Sequence, residues 1–146
     1  MVGSDTTATA MHMALFFAMT NPRVWGCLHC EIQKEEQSGL STPVSASQCQ
    51  QMPYLDAPER WLPGANPGRV LDEMNNTLDL VFGYGKNACL GKSIALIEMQ
   101  KFVAELSRRF DMSIVRPERP FKSSNRNGLF IQEDMLVRFE KRSCDL

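Results

Sequence analysis

Phe82-Gly83-Tyr84-Gly85-Lys86-Asn87-Ala88-Cys89-Leu90-Gly91 is the stretch that decides the fold of this chain. It joins an aromatic residue, two glycines and a single cysteine, and a third glycine stands two positions after that cysteine. The residues that follow, from Lys92 to Glu98, have the apolar spacing of an amphipathic helix. The pattern therefore predicts a tight loop that delivers one sulfur to the N-terminus of a helix. There the helix dipole and unpaired backbone N–H groups favour the thiolate, so Cys89 is a candidate nucleophile or metal ligand.

Composition and charge exclude several classes of protein. The 146 residues are 43% hydrophobic with a net charge of −1, which is ordinary for a globular domain and not basic enough to indicate nucleic-acid binding. The five cysteines are odd in number and unevenly spaced, and no secretory signal is visible, so we expect a reducing, intracellular compartment. The most apolar stretch, Ala8 to Met19, is too short for a membrane span, and we expect no span within this chain.

Hydrophobic spacing predicts a mainly α chain with a small β component. The predicted helices run from Gly3 to Met19, from Asn21-Pro22 to the break at Ser38-Gly39, and from the end of the cysteine loop to Phe110. Asn is a good N-cap and Pro is tolerated at the first helical position, which places the start of the second helix at Asn21-Pro22.

The other segments are predicted to be loops and strands. Residues 39–51 are mostly Ser, Thr, Pro, Ala and Gln and are predicted to be a loop or linker. The polar stretch 72–79 contains Asn75-Asn76, which is typical of a turn. Residues 111–115 are predicted to be a short strand, and residues 128–140 a β-hairpin turning at Glu133-Asp134.

The cysteine loop resembles the haem-binding loop of the cytochrome P-450 superfamily, whose pattern is Phe-x-x-Gly-x-Arg-x-Cys-x-Gly. Four of the five fixed positions are filled, by Phe82, Gly85, Cys89 and Gly91. Ala95 and Glu98 match the family's extension into the proximal helix, and the wording Gly-Lys-x-x-Cys-Leu-Gly-Lys resembles filamentous-fungal members, which implies a place in fungal secondary metabolism.

The resemblance implies a role for each residue of this loop. Cys89 would be the thiolate ligand of a haem iron, pushing electron density into the metal. Gly85 and Gly91 would let the backbone pass close to the sulfur and the macrocycle. The family's arginine is replaced by Asn87, so Lys86 would supply the cation for a haem propionate as a point charge.

Two further stretches resemble the same family. Gly3-Ser4-Asp5-Thr6-Thr7 is similar to its distal-helix motif, which implies that Asp5 and Thr6 relay protons as a catalytic pair. Pro58-Glu59-Arg60-Trp61 is similar to a stretch whose arginine binds an upstream Glu-x-x-Arg pair, and no such pair precedes it here. We therefore expect one partial cytochrome P-450 domain: residues 1–57 form the distal-helix segment and a linker, and residues 58–146 form the haem-binding loop, proximal helix and C-terminal strands. An internal gap would lie at 57/58, with the N-terminal part of the family domain absent.

Two functions follow from this resemblance. The first is a haem-thiolate monooxygenase that inserts one oxygen atom of O₂ into a small apolar organic substrate, with electrons from an NADPH-dependent reductase. Its parent protein would be intracellular, with any endoplasmic-reticulum anchor outside this chain. The second is a truncated or mispredicted family product that does not bind haem stably. We expect this chain alone to be incomplete and inactive, because Arg60 would lack its carboxylate partner.

Simpler readings remain for several residues. Cys89 could be a buried structural cysteine, and Thr6 and Asp5 could be ordinary helix residues that face solvent. Cys27-Leu28-His29-Cys30 could be half of a zinc site, although zinc needs four ligands and ordinary helix residues are favoured. Glu98 is open between a solvated helix face and a partner for a nearby cation.

Overall fold

The computed structural model describes residues 2–56, 68–126 and 129–142. Its helices are α1 (Val2–Thr20), α2 (Pro22–Gln37), α3 (Ala46–Gln51), α4 (Pro53–Asp56), α5 (Gly68–Val81) and α6 (Lys92–Arg109), with a single 3₁₀ turn at Gly85–Asn87. Its strands are β1 (Phe110–Ile114), β2 (Lys122–Arg126), β3 (Leu129–Glu133) and β4 (Val137–Lys141). The prediction of a mainly α chain with a small β component is confirmed. In the part of the chain that the structure describes, no helix is both long and apolar enough to cross a membrane.

The break between α1 and α2 lies where the sequence predicts it. Asn21 caps α2, because its side chain accepts a hydrogen bond from the Val24 N–H at 3.4 Å. Pro22 occupies the first helical position, where its missing N–H has no intrahelical partner to lose. The predicted helix after the cysteine loop is also confirmed, as α6.

The prediction of a loop throughout residues 39–51 is wrong, because Ala46–Gln51 forms α3. Ser45 accepts a hydrogen bond from the Gln48 N–H, and the Gln48 side chain accepts from the Ser45 N–H at 3.2 Å. This capping box supplies partners for backbone groups that a short helix would otherwise leave unpaired. Cys49, which looks incidental in the sequence, is fully buried on this helix. Burial raises the pKa of its thiol.

The predicted turn at Asn75-Asn76 is also wrong, since both residues lie within α5. Asparagine is only weakly unfavourable inside a helix. Apolar residues recur at helical spacing through this stretch, at Leu71, Met74, Leu78 and Val81. This spacing is the period of one helix face, and it outweighs the local preference of the two asparagines for a turn.

The strands form two separate antiparallel pairs, β1 with β4 and β2 with β3. The predicted strand at 111–115 is confirmed as β1, but the predicted hairpin over 128–140 is wrong in its pairing. The chain does turn at Asp134, whose φ is 65°. It then runs back along β1, where the Val115 N–H donates to the Leu136 carbonyl at 2.9 Å. The C-terminal β-hairpin is instead β2 with β3, joined through residues 127–128.

The core lies between α2, the α3–α4 segment and α6. Its buried residues are Leu28, Ile32, Val44, Cys49, Met52 and Ala104. One carboxylate supports each side of this core. Glu31 on α2 accepts the Tyr54 and Leu55 N–H groups at 2.7 Å and 2.8 Å, and so holds α4.

Glu105 on α6 is the second of these carboxylates. It accepts the Val44 N–H at 2.7 Å and the Arg108 guanidinium at 2.7 Å, and Arg109 lies 2.8 Å away. Burial alone would favour the neutral acid. The Val44 N–H and the two arginines outweigh it and hold the pKa of Glu105 below its usual value. The ionised carboxylate therefore ties the segment before α3 to α6.

A buried histidine lies where α2 meets the β1–β4 pair. Neither ring nitrogen of His29 has a hydrogen-bond partner among the described residues, and Nε2 lies 3.9 Å from Asp111 Oδ1. Arg142 already donates to that carboxylate oxygen at 2.9 Å from two nitrogens. Burial first and the Arg142 charge second lower the pKa of His29, and Asp111 only partly offsets them.

Candidate haem-binding site

The loop between α5 and α6 is closed by backbone hydrogen bonds around Cys89. The Cys89 N–H donates to the Phe82 carbonyl at 2.6 Å, which joins the two ends of the loop. The Cys89 carbonyl accepts the Lys92 N–H at 3.3 Å, at the start of α6. Between them the chain makes its 3₁₀ turn, in which the Ala88 N–H donates to the Gly85 carbonyl at 3.1 Å. Cys89 is thus hydrogen-bonded through both its backbone groups, and its side chain is exposed.

Gly83 is the glycine that this loop requires most. Its φ is 79°, in the left-handed region, and a Cβ at this position would lie 2.4 Å from the Asn87 carbonyl oxygen. The sequence directs attention to Gly85 and Gly91 instead. Gly85 also has a positive φ of 60° but has open space around it, and a Cβ at Gly91 would make only an ordinary 3.9 Å contact with Cys89 Sγ. The one sign of Gly83's role in the sequence is its place directly after Phe82, where the loop must turn.

A cation–π contact joins the loop to α6. The Lys92 ammonium lies 5.4 Å from the centroid of the Phe82 ring. Both residues are half-buried. The contact therefore connects Phe82 to the first turn of α6. Phe82 is also the residue whose carbonyl accepts the hydrogen bond from the Cys89 N–H.

Cys89 lines a cavity of about 940 Å³ between α1, the loop and α6. The helix α1 contributes Thr6, Thr7, Ala8, Ala10 and Met11. The loop and its flanks contribute Val81, Phe82, Cys89 and Gly91, and α6 contributes Ile94, Ala95, Glu98 and Met99. Most of these side chains are apolar, so the cavity places one sulfur and a few polar groups in an apolar surround.

The structure brings together some of the residues that the sequence selects. Thr6, Phe82, Cys89 and Gly91 line the cavity. Asp5 is exposed, one residue before Thr6 on α1.

The remaining selected residues lie in the 3₁₀ turn. Gly85 begins that turn, and Lys86 and Asn87 complete it with exposed side chains. Among the described residues, none of these three belongs to the cavity lining. Their predicted contact with a propionate stays a prediction.

Several lining residues were missed from the sequence. Ala10 is one helical turn from the selected Thr6, so the i, i+4 spacing would have found it. Thr7 and Met11 are one turn apart on α1, and no signal from Thr6 at that spacing points to them. Glu98, for which the sequence allows either a solvated helix face or a partner for a nearby cation, is exposed and also lines the cavity.

The other candidates lie elsewhere. Cys27 and Cys30 are exposed on α2, and His12 is exposed on α1. Within residues 2–56, 68–126 and 129–142, no three His, Cys, Asp or Glu side chains come together as a metal-ligand set. The stretch 58–61 and Cys144 lie outside the described residues.

Comparisons with known proteins agree on one family. A sequence model of the Cytochrome P450 family matches this chain twice, over residues 1–58 and 57–137. Similar proteins include cytochrome P450 monooxygenase aba1 of Botryotinia fuckeliana, a cytochrome P450 monooxygenase of Aspergillus flavus, and pisatin demethylase of Fusarium vanettenii. They are 24%, 29% and 26% identical to it over 93%, 97% and 99% of the chain.

The chain spans about two fifths of the length of these curated relatives: 38%, 39% and 38%. The two matches of the family model together cover most of the 146 residues. The chain therefore belongs to the cytochrome P450 family.

Proposed function

We propose that this chain supplies the haem-binding part of a cytochrome P450 monooxygenase that inserts one oxygen atom of O₂ into an apolar organic substrate. Electrons would come from an NADPH-dependent reductase. The observation that carries the proposal is the cavity, in which the thiol of Cys89 and the hydroxyl of Thr6 share one apolar space.

The residues present fit a thiolate-ligated haem. The cavity volume of about 940 Å³ lies at the upper end of the range of about 300–1,000 Å³ for ligand sites. Its lining suits an apolar macrocycle, and Cys89 is the cysteine that it contains. A single thiolate is the protein ligand that haem iron takes in enzymes of this chemistry. When bound, the haem supplies the activation of O₂.

The chain's own residues would bind and orient the haem and supply protons to the cavity. Cys89 holds the metal, and its position depends on the hydrogen bond from its N–H to Phe82. Ala10 and Met11 line the cavity beside Thr6 and give this side of it apolar walls. Asp5 and Thr6 are both exposed to solvent, and Thr6 also lines the cavity, so we infer that the pair would bring protons from solvent to the cavity.

Lys86 completes the proposed site as the cation for a propionate. It stands in the 3₁₀ turn with an exposed side chain. A lysine on a four-carbon stem can reach a carboxylate without the fixed fork of an arginine. Asn87 at the family's arginine position would contribute at most a neutral hydrogen bond.

A haem titration tests ligation by Cys89. We expect the reduced, carbon monoxide-treated chain to show a thiolate-type Soret band that Cys89→Ser abolishes. Cys30→Ser is the matched control, because Cys30 is exposed on α2 and outside the cavity. Absence of the thiolate band in the unmodified chain would refute the proposal and favour a family product that does not hold haem.

We also propose that the chain lacks an internal segment at 57/58 and does not turn over substrate by itself. The two family-model matches meet at this junction. The alignment with the Botryotinia fuckeliana relative has 197 positions, but 93% of 146 residues is only about 136, so about 60 positions hold no residue of this chain. Sequencing the transcript across codons 57–58 tests this: an unbroken transcript with no additional codons there would support the proposal, and additional codons that encode the family's missing segment would contradict it.

A further inference from the structure

We propose that Lys92 is a positioning residue for Cys89, acting through the ring of Phe82. This inference rests on the proposed role of Cys89 as the haem ligand. It adds a residue outside the cavity lining that determines where the sulfur is held.

Three contacts form a closed triangle among Phe82, Cys89 and Lys92. The Cys89 N–H donates to the Phe82 carbonyl at 2.6 Å, and the Lys92 N–H donates to the Cys89 carbonyl at 3.3 Å. The third side is the Lys92 ammonium above the Phe82 ring at 5.4 Å. The two backbone hydrogen bonds do not involve the Phe82 ring, whereas the third contact is made by the ring itself.

Phe82 needs such a restraint because of what stands on either side of it. The exposed end of α5 precedes it, with Val81 74% exposed. Gly83, with its positive φ, follows it and adds no side chain. Lys92 lies in the first turn of α6, whose far end is anchored in the core by the buried Ala104 and Ser107. The ammonium therefore connects a weakly held residue of the loop to a firmly held helix.

The effect of this contact falls on the sulfur. The restraint reaches the sulfur through the Phe82 backbone: when the ring is released, the Phe82 backbone is less firmly held, and the 2.6 Å hydrogen bond from the Cys89 N–H to the Phe82 carbonyl opens more often. Cation–π contacts of partly exposed groups have energies that correspond to about 2- to 30-fold changes in an equilibrium constant. Replacing Lys92 by Met keeps the length of the side chain and removes its charge. We expect Lys92→Met to raise the exchange rate of the Cys89 amide hydrogen by about 2- to 30-fold.

Amide hydrogen exchange on the full chain without haem tests this proposal. Lys92→Arg should restore slow exchange, because it keeps a cation above the ring. Lys101→Met, nine residues further along α6, is the matched control and should leave the Cys89 amide unchanged. The amide of Ala104 serves as an internal reference for global opening. A double-mutant cycle with Phe82→Leu should show that the effect of Lys92→Met disappears when the ring is absent.

Two results would overturn the proposal: equal Cys89 exchange in the unmodified chain and Lys92→Met, or an increase at Ala104 as large as at Cys89. The second would make Lys92 a residue of general stability. Because no haem is present, either result leaves ligation by Cys89 to be decided by the haem titration with Cys89→Ser.

Discussion

Substituting Gly83 by Ala should damage the cysteine loop more than the same change at Gly85 or Gly91, the other two glycines of that loop. Two costs combine at this position. Its φ of 79° costs a residue with a Cβ about 1–2 kcal/mol. The new Cβ would also lie 2.4 Å from the Asn87 carbonyl oxygen, so that backbone group would have to move. Overpacking of this kind costs about 1–3 kcal/mol. The expected total is about 2–5 kcal/mol.

Two other glycines separate these costs. Gly85 has a φ of 60°, but no atom lies within 4 Å of a Cβ added there. Gly85→Ala should therefore show only the conformational cost of about 1 kcal/mol. Gly26→Ala lies within α2 with open space around it. It should stabilise the chain by about 0.5–1 kcal/mol, because alanine is the better helix former.

Two measurements are needed, since the loop can open without the rest of the chain. Urea unfolding followed by circular dichroism gives the global free energy, and exchange of the Cys89 amide reports the loop. We expect Gly83→Ala to accelerate that exchange by roughly 30- to 5,000-fold, which corresponds to about 2–5 kcal/mol. If Gly83→Ala and Gly85→Ala have the same effect, the close approach to Asn87 does not constrain the loop and the reasoning fails.

Two further predictions concern the core. Glu105→Gln should lower the free energy of unfolding by about 2–4 kcal/mol, because the mostly buried Arg108 loses its ionised partner at 2.7 Å and, among the described residues, keeps only Glu36 as an ion-pair partner, at 3.9 Å. Urea unfolding checks this with the exposed Glu140→Gln as control, and a loss under about 1 kcal/mol would contradict it. For His29, burial and the Arg142 charge lower the folded-state pKa, so its contribution to stability is fully present above about pH 6.5 and is lost as the pH falls from there. His29→Gln should flatten the dependence of the unfolding free energy on pH between pH 7 and 5. His12→Gln, at the chain's other histidine, is the control and should leave that dependence unchanged. An unchanged slope in His29→Gln would show that another group is responsible.

The sequence predicts the elements that carry a strong period or a strong cap. The second helix is recognisable because Asn21-Pro22 supplies both its cap and its first residue. The helix after Cys89 is recognisable from its repeated apolar spacing. The helix Ala46–Gln51 was missed because its composition is typical of a loop, and only the relation of Ser45 to Gln48 reveals the capping box.

Strand pairing and close backbone contacts arise between residues that meet only in the fold, so they could not be predicted from the sequence. The turn at Asp134 is local and was found, but the partner of β4 is β1, separated from it by two other strands. The requirement for glycine at position 83 arises from the Asn87 carbonyl, four residues away, and no pattern in the sequence shows that contact. Cys89 and Thr6, which the family resemblance selected, line one cavity although they lie far apart in the chain, and spacing alone would not have paired them.

The position of α6 explains why the loop and the core should respond independently. Its C-terminal half is fixed in the core, with Ala104 and Ser107 fully buried and Glu105 bonded to the Val44 N–H. Its N-terminal half borders the cavity, and there Ile94 is 63% exposed. The core therefore determines the direction of the helix but not the path of the loop before it, which depends on the contacts that Phe82 makes. We therefore expect that a substitution in the loop can abolish the proposed haem ligation with no change in the unfolding midpoint. A substitution at Glu105 should lower that midpoint while the loop at Cys89 keeps its geometry until the chain unfolds.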